Sequence, residues 1–468
     1  MAGSGIIAVL DVGKSNVKLS ACDIDGQVIE TLSVPNAVLP GPPWRHHDLK
    51  ALNGWVLAGL ADLARRHPLA HFVASGHGSG GVLVGDDPDA GGDGAVLPMV
   101  DYEQPLPDGL AAEYAPLAGD FLDRGSAVMM AATHTARQMF WAERDCPKAF
   151  ARARWCLGIP QYWAWRLTGV AASEVTTLGA QSHLWNVARA EWSPIVAARG
   201  WARLMPPFAK ASDALGPVRA TLVAQGVPKL RVRAGVHDSS ANFHRYRAAG
   251  MERICVISTG TWIVAMADGI DPARLDETRG MTCNADVAGA PVCGALTMGG
   301  REFAILAGAQ PEGALADPAA LGRVVTQGTM ALPAFGTNDG QFPGSAEQGR
   351  IIGPAPDGAA ERLALAVLYV ALLTVECGNR LDPERDWVLD GSFLRDPAFA
   401  ALVAALRPGR VTRVNAEGHG VAAGAAALCH PGRAMPAPEL TTPAALPGLP
   451  DLTDYATRWR ALAEKATT

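Results

Sequence analysis

Short turns in this sequence place polar side chains directly after apolar runs that are typical of buried strands. One turn begins at Asp11 and passes over Gly13, whose conformational freedom allows backbone N–H groups to face a ligand. Another carries Asp238 just after Gly235, and a further one is the Ser-Thr-Gly-Thr-Trp stretch at 258–262. Glycine and hydroxyl residues in such turns bind phosphate, and a carboxylate there can hold a metal ion or accept a proton. The pattern therefore indicates phosphate chemistry.

The turns that carry the carboxylates have competing interpretations. Gly-Lys-Ser at 13–15 is similar to the end of a P-loop, but that motif needs a glycine five residues before Gly13, where the chain has Ala8. The spacing of the glycines therefore excludes a P-loop. Asp238 could instead cap the helix that follows it, because Asp is a preferred N-cap residue and the serines at 239–240 are equally eligible. Taken alone, this second turn favours a cap.

Residues able to hold a small polyhydroxy ligand lie elsewhere in the first half of the chain. Four glycines within 76–81 follow a strand-like run and allow a ligand to approach the backbone at Gly78, while His77 could donate to a sugar hydroxyl. A flexible turn with a solvated histidine is the alternative. Asp101 and Tyr102 end a later apolar run, at a point where a strand would meet a cleft.

The composition indicates a globular protein with no overall attraction for polyanions. Hydrophobic residues make up 49% of the 468 residues and charged residues 18%, which excludes a disordered chain and favours two or more domains. Forty basic against forty-six acidic residues give a net charge of −6, so we expect neither nucleic acid nor an acidic membrane as a partner. Eight cysteines without a CxxC pair indicate reduced thiols. With no leader-like or membrane-spanning run, the expected compartment is the cytoplasm.

Apolar periodicity predicts the elements that position these turns. Helices are expected over residues 48–66, 127–143, 155–167, 361–381 and 452–465. Strands are expected over residues 6–10, 19–24, 27–34, 71–75, 95–102, 232–234, 254–257 and 387–389. The succession of strand, glycine and hydroxyl turn recurs in both halves of the chain, which predicts two related α/β domains, 1–247 and 248–468, that face each other.

The order of these motifs resembles that of the FGGY family of carbohydrate kinases over nearly the whole chain. The matching stretches are 11–18, 166–169, 235–238, 258–262, 333–335, 348–353 and 417–427. The resemblance implies an α/β fold of two actin-like (ribonuclease H-like) ATPase domains with an interdomain cleft, the first domain binding sugar and the second binding nucleotide. It also implies an ATP-dependent carbohydrate kinase that transfers the γ-phosphate of MgATP to a hydroxyl of a ketose.

The resemblance also assigns roles to individual residues. Asp238 is implied to be the catalytic general base that takes the proton from the attacking hydroxyl, and Asp11 to hold Mg²⁺ through water. The predicted contacts to ATP are Asp11, Gly13, Lys14, Ser15, Asn16, Lys18, Gly260, Thr261, Gly299, Gly391 and Ser392. The predicted contacts to the sugar are His77, Gly78, Asp101, Tyr102, His237 and Asp238. Lys14 replaces the small residue usual in the family, and either adds a phosphate contact or is an exposed lysine.

Within the family, the His-Asp pair at 237–238 and the Gly-Thr-Trp at 260–262 look more like the L-fuculokinase and L-rhamnulokinase branch. This similarity predicts a ketose such as L-fuculose or L-rhamnulose, phosphorylated on O1. A pentulose (xylulose or ribulose) kinase and an actin-like ATPase without sugar kinase activity are the open alternatives. A dinucleotide-dependent dehydrogenase is disfavoured because the first turn lacks GxGxxG. The expected partners are the ketose and ATP, and a homodimer is left open.

Overall fold

The computed structural model describes residues 5–465, which form two compact units built from several segments of chain. The first unit runs to Met251 and also includes Cys283–Pro291 and His419–Ala437. The second unit comprises Glu252–Thr282, Val292–Gly418 and the chain from Pro438 onward. The predicted division after residue 247 treats each domain as one continuous segment, and it did not anticipate the two later segments that belong to the first unit.

Strands and α-helices are interspersed along the whole described chain. The strands are β1 Ile6–Val12, β2 Asn16–Cys22, β3 Val28–Pro35, β4 Val38–Leu39, β5 His46–His47, β6 Leu69–Gly76, β7 Gly81–Val84, β8 Trp155–Gly158, β9 Trp185–Asn186, β10 Glu191–Trp192, β11 Ala214–Pro217, β12 Arg231–Arg233, β13 Val236–His237, β14 Ile254–Thr259, β15 Ile263–Asp268, β16 Met281–Ala285, β17 Pro291–Thr297, β18 Met330–Leu332, β19 Arg350–Ile352, β20 Asp386–Gly391 and β21 Thr412–Val414. The α-helices are α1 Leu49–Arg66, α2 Leu110–Tyr114, α3 Phe121–Arg124, α4 Thr135–Asp145, α5 Pro147–Phe150, α6 Ile159–Thr168, α7 Val175–Leu178, α8 Pro194–Ala198, α9 Ala220–Ala224, α10 Asp238–Ala248, α11 Gly299–Ala307, α12 Pro318–Gln327, α13 Gly358–Leu381, α14 Pro397–Ala405, α15 Gly420–Ala427 and α16 Thr453–Lys465. Short 3₁₀ helices lie at Ala90–Gly92, Ala115–Leu117, Trp201–Leu204, Pro272–Arg274, Glu277–Arg279 and Ser392–Arg395.

The main sheet of the first unit is covered on both faces. Its strands lie in the order β11-β12-β6-β1-β2-β3, and β13 also pairs with β6. Strand β1 pairs with β2 in antiparallel and with β6 in parallel orientation. Side chains of α1 and α6 form one apolar layer against β1, and side chains of α10 and α15 form the other. Residues 7–10 of β1 are therefore completely buried, as the continuous apolar run predicted.

The Ala- and Gly-rich helix α15 packs closely on α10 within this unit. A Cβ placed on Gly424 would lie 1.8 Å from the carbonyl oxygen of Ala241, so only glycine fits at this position. Small residues let two helix backbones approach in this way. The composition of α15 is thus explained by helix packing.

The second unit repeats this strand arrangement. Its main sheet has the order β16-β17-β15-β14-β20-β21. The hairpin of β14 and β15 is antiparallel, and β14 pairs on its other side with β20 in parallel orientation, as β1 pairs with β2 and β6. The repeated pattern of strand and turn in the two halves of the sequence therefore corresponds to a repeated topology.

Helix α13 is the central helix of the second unit, and it packs against α11, α12 and α14. By length and composition alone it is apolar enough to cross a membrane, and it is the one such helix within residues 5–465. Most of its apolar stretch is buried in the core of the unit, where it contacts the side chains of the sheet. A core helix of a globular domain has these properties.

The helix predicted over 127–143 begins only at Thr135. Ala131 and His134 have φ angles of 49° and 81°, which are incompatible with a continuous helix. The Arg137 guanidinium donates to the carbonyl oxygens of Met129 and Ala131 at 2.6 and 2.7 Å. These side-chain hydrogen bonds occupy carbonyl groups that would otherwise serve the helix, so the first turns of the predicted helix do not form.

Two further predictions of local structure are wrong. The helix predicted over 155–167 starts as strand β8, which pairs with β7, and becomes helical only at Ile159, where Pro160 occupies the first turn. The strand predicted over 95–102 makes only isolated bridges to β5 and β7. In the first case proline sets the start of the helix, and in the second no neighbouring strand is available along the whole run.

Candidate functional site

The pairing of β6 with two flanking strands brings the predicted carboxylates of the first unit together. Asp11 on β1 is in register with Ser75 of β6, and Val236 on β13 is in register with the same residue from the other side. Because all of these strands run in parallel, their carboxyl ends meet at one edge of the sheet. Asp11 and Asp238 therefore reach the same edge of the sheet. Burial and the charge of Asp238 raise the pKa of Asp11 to about 7, while the charge of Lys18 opposes this shift.

The turn before Asp238 requires glycine. Gly235 has a φ of +92°, and a Cβ there would lie 2.7 Å from the carbonyl oxygen of Ala74. Asp238 itself is the first residue of α10, and the N-cap position is taken by His237. The Asp238 carboxylate accepts hydrogen bonds from the backbone N–H and the hydroxyl of the adjacent Ser239. The competing interpretation of Asp238 as the N-cap is therefore wrong.

His237 contacts Asp238 through its ring. Its Nε2 lies 3.1 Å from Asp238 Oδ1, and its Nδ1 lies 3.2 Å from the hydroxyl of Ser240. Burial lowers the pKa of His237, although the Asp238 charge opposes the shift. In the neutral ring, a proton on Nε2 faces the carboxylate and makes the contact attractive, whereas the other tautomer would set a lone pair against it. His237 therefore orients the carboxylate of Asp238.

A buried glutamate that was not among the predicted site residues supports this turn. The backbone N–H of His237 donates to Thr176 Oγ1 at 2.9 Å, and the Thr176 hydroxyl donates to Glu174 Oε2 at 2.6 Å. Glu174 also caps α7 by accepting the backbone N–H groups of Thr176 and Thr177 at 3.0 and 3.1 Å. Burial raises the pKa of Glu174 to about 7 despite these hydrogen bonds. The only signal in the sequence was an acidic residue within the small polar stretch 173–181.

The first glycine turn joins β1 to β2 and is closed by backbone hydrogen bonds. The N–H of Gly13 donates to the carbonyl oxygen of Asn16 at 3.0 Å. The side-chain amide of Asn36 donates to the carbonyl oxygen of Gly13 at 2.8 Å, which fixes the turn from outside. Ser15, Asn16 and Lys18 are exposed, so their polar groups are accessible from solvent.

Lys14 leaves this turn toward the residues predicted to contact the sugar. Its ammonium group forms an ion pair with Asp101 and lies 5.2 Å from the centre of the Tyr102 ring. The His77 ring lies 5.3 Å from the Tyr102 ring, and the His77 backbone N–H donates to the carbonyl oxygen of Val12 at 3.2 Å. The structure thus places Lys14, His77, Asp101 and Tyr102 in one cluster. Lys14 is a paired lysine and not a freely exposed one.

Gly78 lies beside this cluster, where the chain turns away from the end of β6. A Cβ on Gly78 would lie 2.5 Å from the carbonyl oxygen of Ala180, so the protein's own backbone makes a close approach within the glycine-rich stretch 76–81. A ligand contact at Gly78 stays a prediction.

The residues predicted to contact nucleotide in the second unit also lie together, at one edge of its sheet. Thr259, the last residue of β14, is in register with Gly391 of β20. The hydroxyl of Ser392 donates to the carbonyl oxygen of Thr259 at 3.4 Å. The backbone N–H of Gly300, at the start of α11, donates to the carbonyl oxygen of Thr261 at 3.1 Å. The turn that carries Gly260 and Thr261 is thereby held against the first turn of α11, which begins at Gly299, and against the end of β20.

Comparison with known proteins shows what this chain is similar to. A sequence model of the N-terminal domain of the FGGY family of carbohydrate kinases matches residues 115–243, and a model of the carbohydrate kinase FGGY C-terminal domain matches residues 251–437. The solved structure of a carbohydrate kinase from Novosphingobium aromaticivorans is 31% identical, covers 100% of both chains and superposes with a TM-score of 0.85. A xylulose kinase from Rhodospirillum rubrum is 17% identical, covers 98% of this chain and 97% of its own, with a TM-score of 0.74.

Among curated proteins, an L-fuculokinase of Escherichia coli K12 is 26% identical over 299 residues, which are 60% of this chain and 61% of that protein. The match thus spans about three fifths of the length of that relative. The structural similarities confirm the predicted α/β class with two domains of the actin-like ATPase fold.

Proposed function

The chain belongs to the FGGY family of carbohydrate kinases, and on that basis we propose that it transfers the γ-phosphate of ATP to a hydroxyl of a small sugar. The observation that carries the proposal is the pairing of β6 with β1 and β13, which brings Asp11, His77 and Asp238 to one sheet edge. Phosphoryl transfer requires a protein to position the reactants and to neutralise charge. Carboxylates beside glycine turns are the groups suited to that task.

In the proposed reaction, Asp238 accepts the proton of the attacking hydroxyl. Its side chain is 26% exposed and can be reached by a substrate. The His237 ring and the Ser239 backbone N–H both contact its Oδ1, which leaves Oδ2 available to the hydroxyl. A carboxylate with one oxygen fixed and the other open is suited to a general base.

Asp11 fits a magnesium site. Its carboxylate is buried near Asp238, and the resulting rise in its pKa to about 7 is the kind of cost that a bound cation offsets by favouring the ionised form. Mg²⁺ keeps several waters and uses one or two carboxylates together with substrate phosphates. Among residues 5–465, no group of three or more His, Cys, Asp or Glu could hold a metal by itself. When bound with ATP, the ion would neutralise charge on the phosphate groups.

The other predicted nucleotide contacts, apart from Lys14, are proposed to bind ATP. The N–H groups of Gly13 and Gly260 already donate to the carbonyl oxygens of their own turns. We therefore assign the phosphate donors to the hydroxyl of Ser15 in the first unit and the hydroxyl of Thr261 in the second, with the two glycines allowing close approach. Nucleotide contacts are assigned to Asn16, Lys18, Gly299, Gly391 and Ser392.

A ketose phosphorylated on O1, such as L-fuculose or L-rhamnulose, is the proposed substrate. The similarity to L-fuculokinase supports this choice. A pentulose such as xylulose is the second candidate, because a structurally similar protein is a xylulose kinase, although at 17% identity that likeness concerns the fold alone. We place the reaction in the cytoplasm, since all eight cysteines are free thiols.

The test is ADP release by the purified protein with MgATP and each of L-fuculose, L-rhamnulose, L-xylulose, D-xylulose, D-ribulose and glycerol. We expect selective acceleration by a 6-deoxy ketohexose. Acceleration only by a pentulose or by glycerol would contradict the proposed substrate but would leave the proposed kinase activity standing. ATP turnover that ignores every sugar would contradict the kinase proposal.

The role of Asp238 is tested in the same assay. Asp238→Asn is expected to lower kcat by about 10²–10⁴-fold, the usual cost of losing a general base. Asp108→Asn, which changes an exposed aspartate, is the matched control and is expected to keep full turnover. A folded Asp238→Asn variant with full turnover would rule out the assigned role.

A further inference from the structure

We propose that Lys14 is a sugar-specificity residue, which donates to a hydroxyl of an uncharged ketose and not to the phosphates of ATP. This inference rests on the proposed kinase function and refines it. Lys14 lies within the first glycine turn, where the motif alone suggested a phosphate contact.

The direction of the Lys14 side chain carries the proposal. Its ammonium group pairs with Asp101, lies 3.7 Å from Oε2 of Glu103 and faces the ring of Tyr102 at 5.2 Å. All of these partners come from one segment, the segment predicted to face the sugar. The side chain is 20% exposed, so the ammonium group is held there with part of its surface open.

Contacts other than the one with Lys14 also hold the Asp101 side chain in position, so Asp101 can position the Lys14 ammonium group. Its side chain is completely buried, and Arg45 binds the carboxylate oxygen that Lys14 does not use. The backbone N–H of Glu103 donates to Asp101 Oδ1 at 3.2 Å. Burial raises the pKa of Asp101, but the hydrogen bonds from Arg45 and Lys14 outweigh burial and keep the pKa below its usual range. Asp101 is therefore ionised at neutral pH and holds Lys14 in place.

The formal charges of this cluster balance. Lys14 and Arg45 contribute two positive charges, and Asp101 and Glu103 contribute two negative charges. A sugar acid would need an uncompensated cation to bind its carboxylate, whereas a neutral polyol needs only hydrogen-bond donors and acceptors. The balance therefore favours an uncharged sugar.

Two neighbouring histidines present unused hydrogen-bonding groups at the same place. His47 is 2% exposed, and its ring lies 6.2 Å from the ring of His77. No protein atom in the described part of the chain hydrogen-bonds to a ring nitrogen of His47 or His77. Buried polar groups without partners are costly, so such groups indicate a place where a ligand completes the hydrogen bonding.

The electrostatics of His77 connect this cluster to the proposed base. The pKa of His77 is lowered to about 3, mainly by burial and in addition by His47 and Lys14, while Asp238 opposes the shift. His77 is therefore neutral and has one donor and one acceptor for a hydroxyl. Lys14 and Asp238 therefore both lie near enough to the His77 ring for their charges to influence it.

The experiment compares Lys14→Met with Lys14→Arg and with the control Lys229→Met, which removes an exposed lysine elsewhere in the same unit. Equilibrium titrations measure binding of L-fuculose, L-rhamnulose, D-xylulose and D-gluconate without nucleotide, and binding of MgATP without sugar. We expect Lys14→Met to weaken binding of the preferred ketose about 10- to 100-fold, the usual effect of losing a hydrogen bond from a charged group. Binding of MgATP should change less than about threefold. Lys14→Arg keeps a positive charge and N–H donors, so it should bind the ketose more tightly than Lys14→Met does.

Other outcomes would overturn the inference. Weaker MgATP binding with unchanged ketose binding would make Lys14 a phosphate contact. Unchanged binding of both ligands would leave Lys14 a structural ion pair, and preferential binding of gluconate would contradict the charge argument. A wild-type protein that binds a ketose but does not phosphorylate it would defeat the proposed function, while the binding data would still decide the role of Lys14. A wild type that binds none of the sugars would overturn both.

Discussion

At the scale of single residues, the catalytic proposal depends on how Asp238 is oriented. His237 presents Nε2 to the carboxylate at 3.1 Å and Nδ1 to Ser240 at 3.2 Å. The Ser240 hydroxyl also lies 3.0 Å from the carbonyl oxygen of Ala285. The Ser240 hydroxyl therefore has a second acceptor for its one proton, whereas the Nε2 contact acts directly on the Asp238 carboxylate, beside the donors of Ser239. We therefore expect loss of the His237 ring to lower catalysis more than loss of the Ser240 hydroxyl.

We predict that His237→Phe lowers kcat about 10- to 100-fold, because a hydrogen bond to a charged group is worth about 1.5–3 kcal/mol. Ser240→Ala is expected to change kcat less than about threefold, since the Nε2 donor survives. The measurement is kcat at saturating ketose and MgATP, with circular dichroism to check the fold. Equal losses in the two variants would contradict the assigned tautomer.

At the scale of elements, helix α7 links the site to the rest of the first unit through its cap. Glu174 is 1% exposed and binds the two threonines that follow the cap position. Its pKa is raised from an ordinary value of 4.5 to about 7, mainly by burial. The folded state therefore holds a proton that the unfolded state loses between these values, so this group stabilises folding less as pH rises.

We predict that the difference in unfolding free energy between the wild type and Glu174→Gln changes with pH. From pH 4.5 to 7.5 the wild type should lose up to about 3 kcal/mol relative to the variant, because each pKa unit corresponds to about 1.4 kcal/mol. Urea unfolding at several pH values measures the difference. If the two proteins keep a constant difference across this range, Glu174 does not have the raised pKa.

The same elements show what the sequence could and could not predict. Apolar periodicity predicted helix α1 and strand β1, because a buried face requires apolar residues at a regular spacing along the chain. It failed at α4, where contacts made by Arg137 replace the first helical hydrogen bonds. The motifs predicted Asp11 and Asp238, whose strands the structure brings to one sheet edge, and the roles of both residues stay predictions. The pair of Lys14 with Asp101 joins residues 87 apart in sequence, and no local pattern encodes such a contact.

At the scale of the whole molecule, the first unit is completed by a segment that follows most of the second unit in sequence. His419–Ala437 returns to the first unit and contributes α15, which covers one face of the main sheet. Residues 7 and 9 of β1 pack in the apolar cluster that α15 and α10 complete. The stability of the first unit therefore depends on chain that lies more than 160 residues beyond Met251.

We predict that Gly424→Ala destabilises the protein by about 1–3 kcal/mol or more, the usual cost of overpacking a well-packed contact. The new methyl group would lie 1.8 Å from the carbonyl oxygen of Ala241, so α15 or α10 must shift. The matched control is Gly54→Ala on α1, where no atom lies within 4 Å of the added Cβ. That change should stabilise the protein by about 0.5–1 kcal/mol, because alanine is a better helix former than glycine. Urea unfolding measures both variants, and a Gly424→Ala protein as stable as the control would show that α15 does not pack on α10 as described.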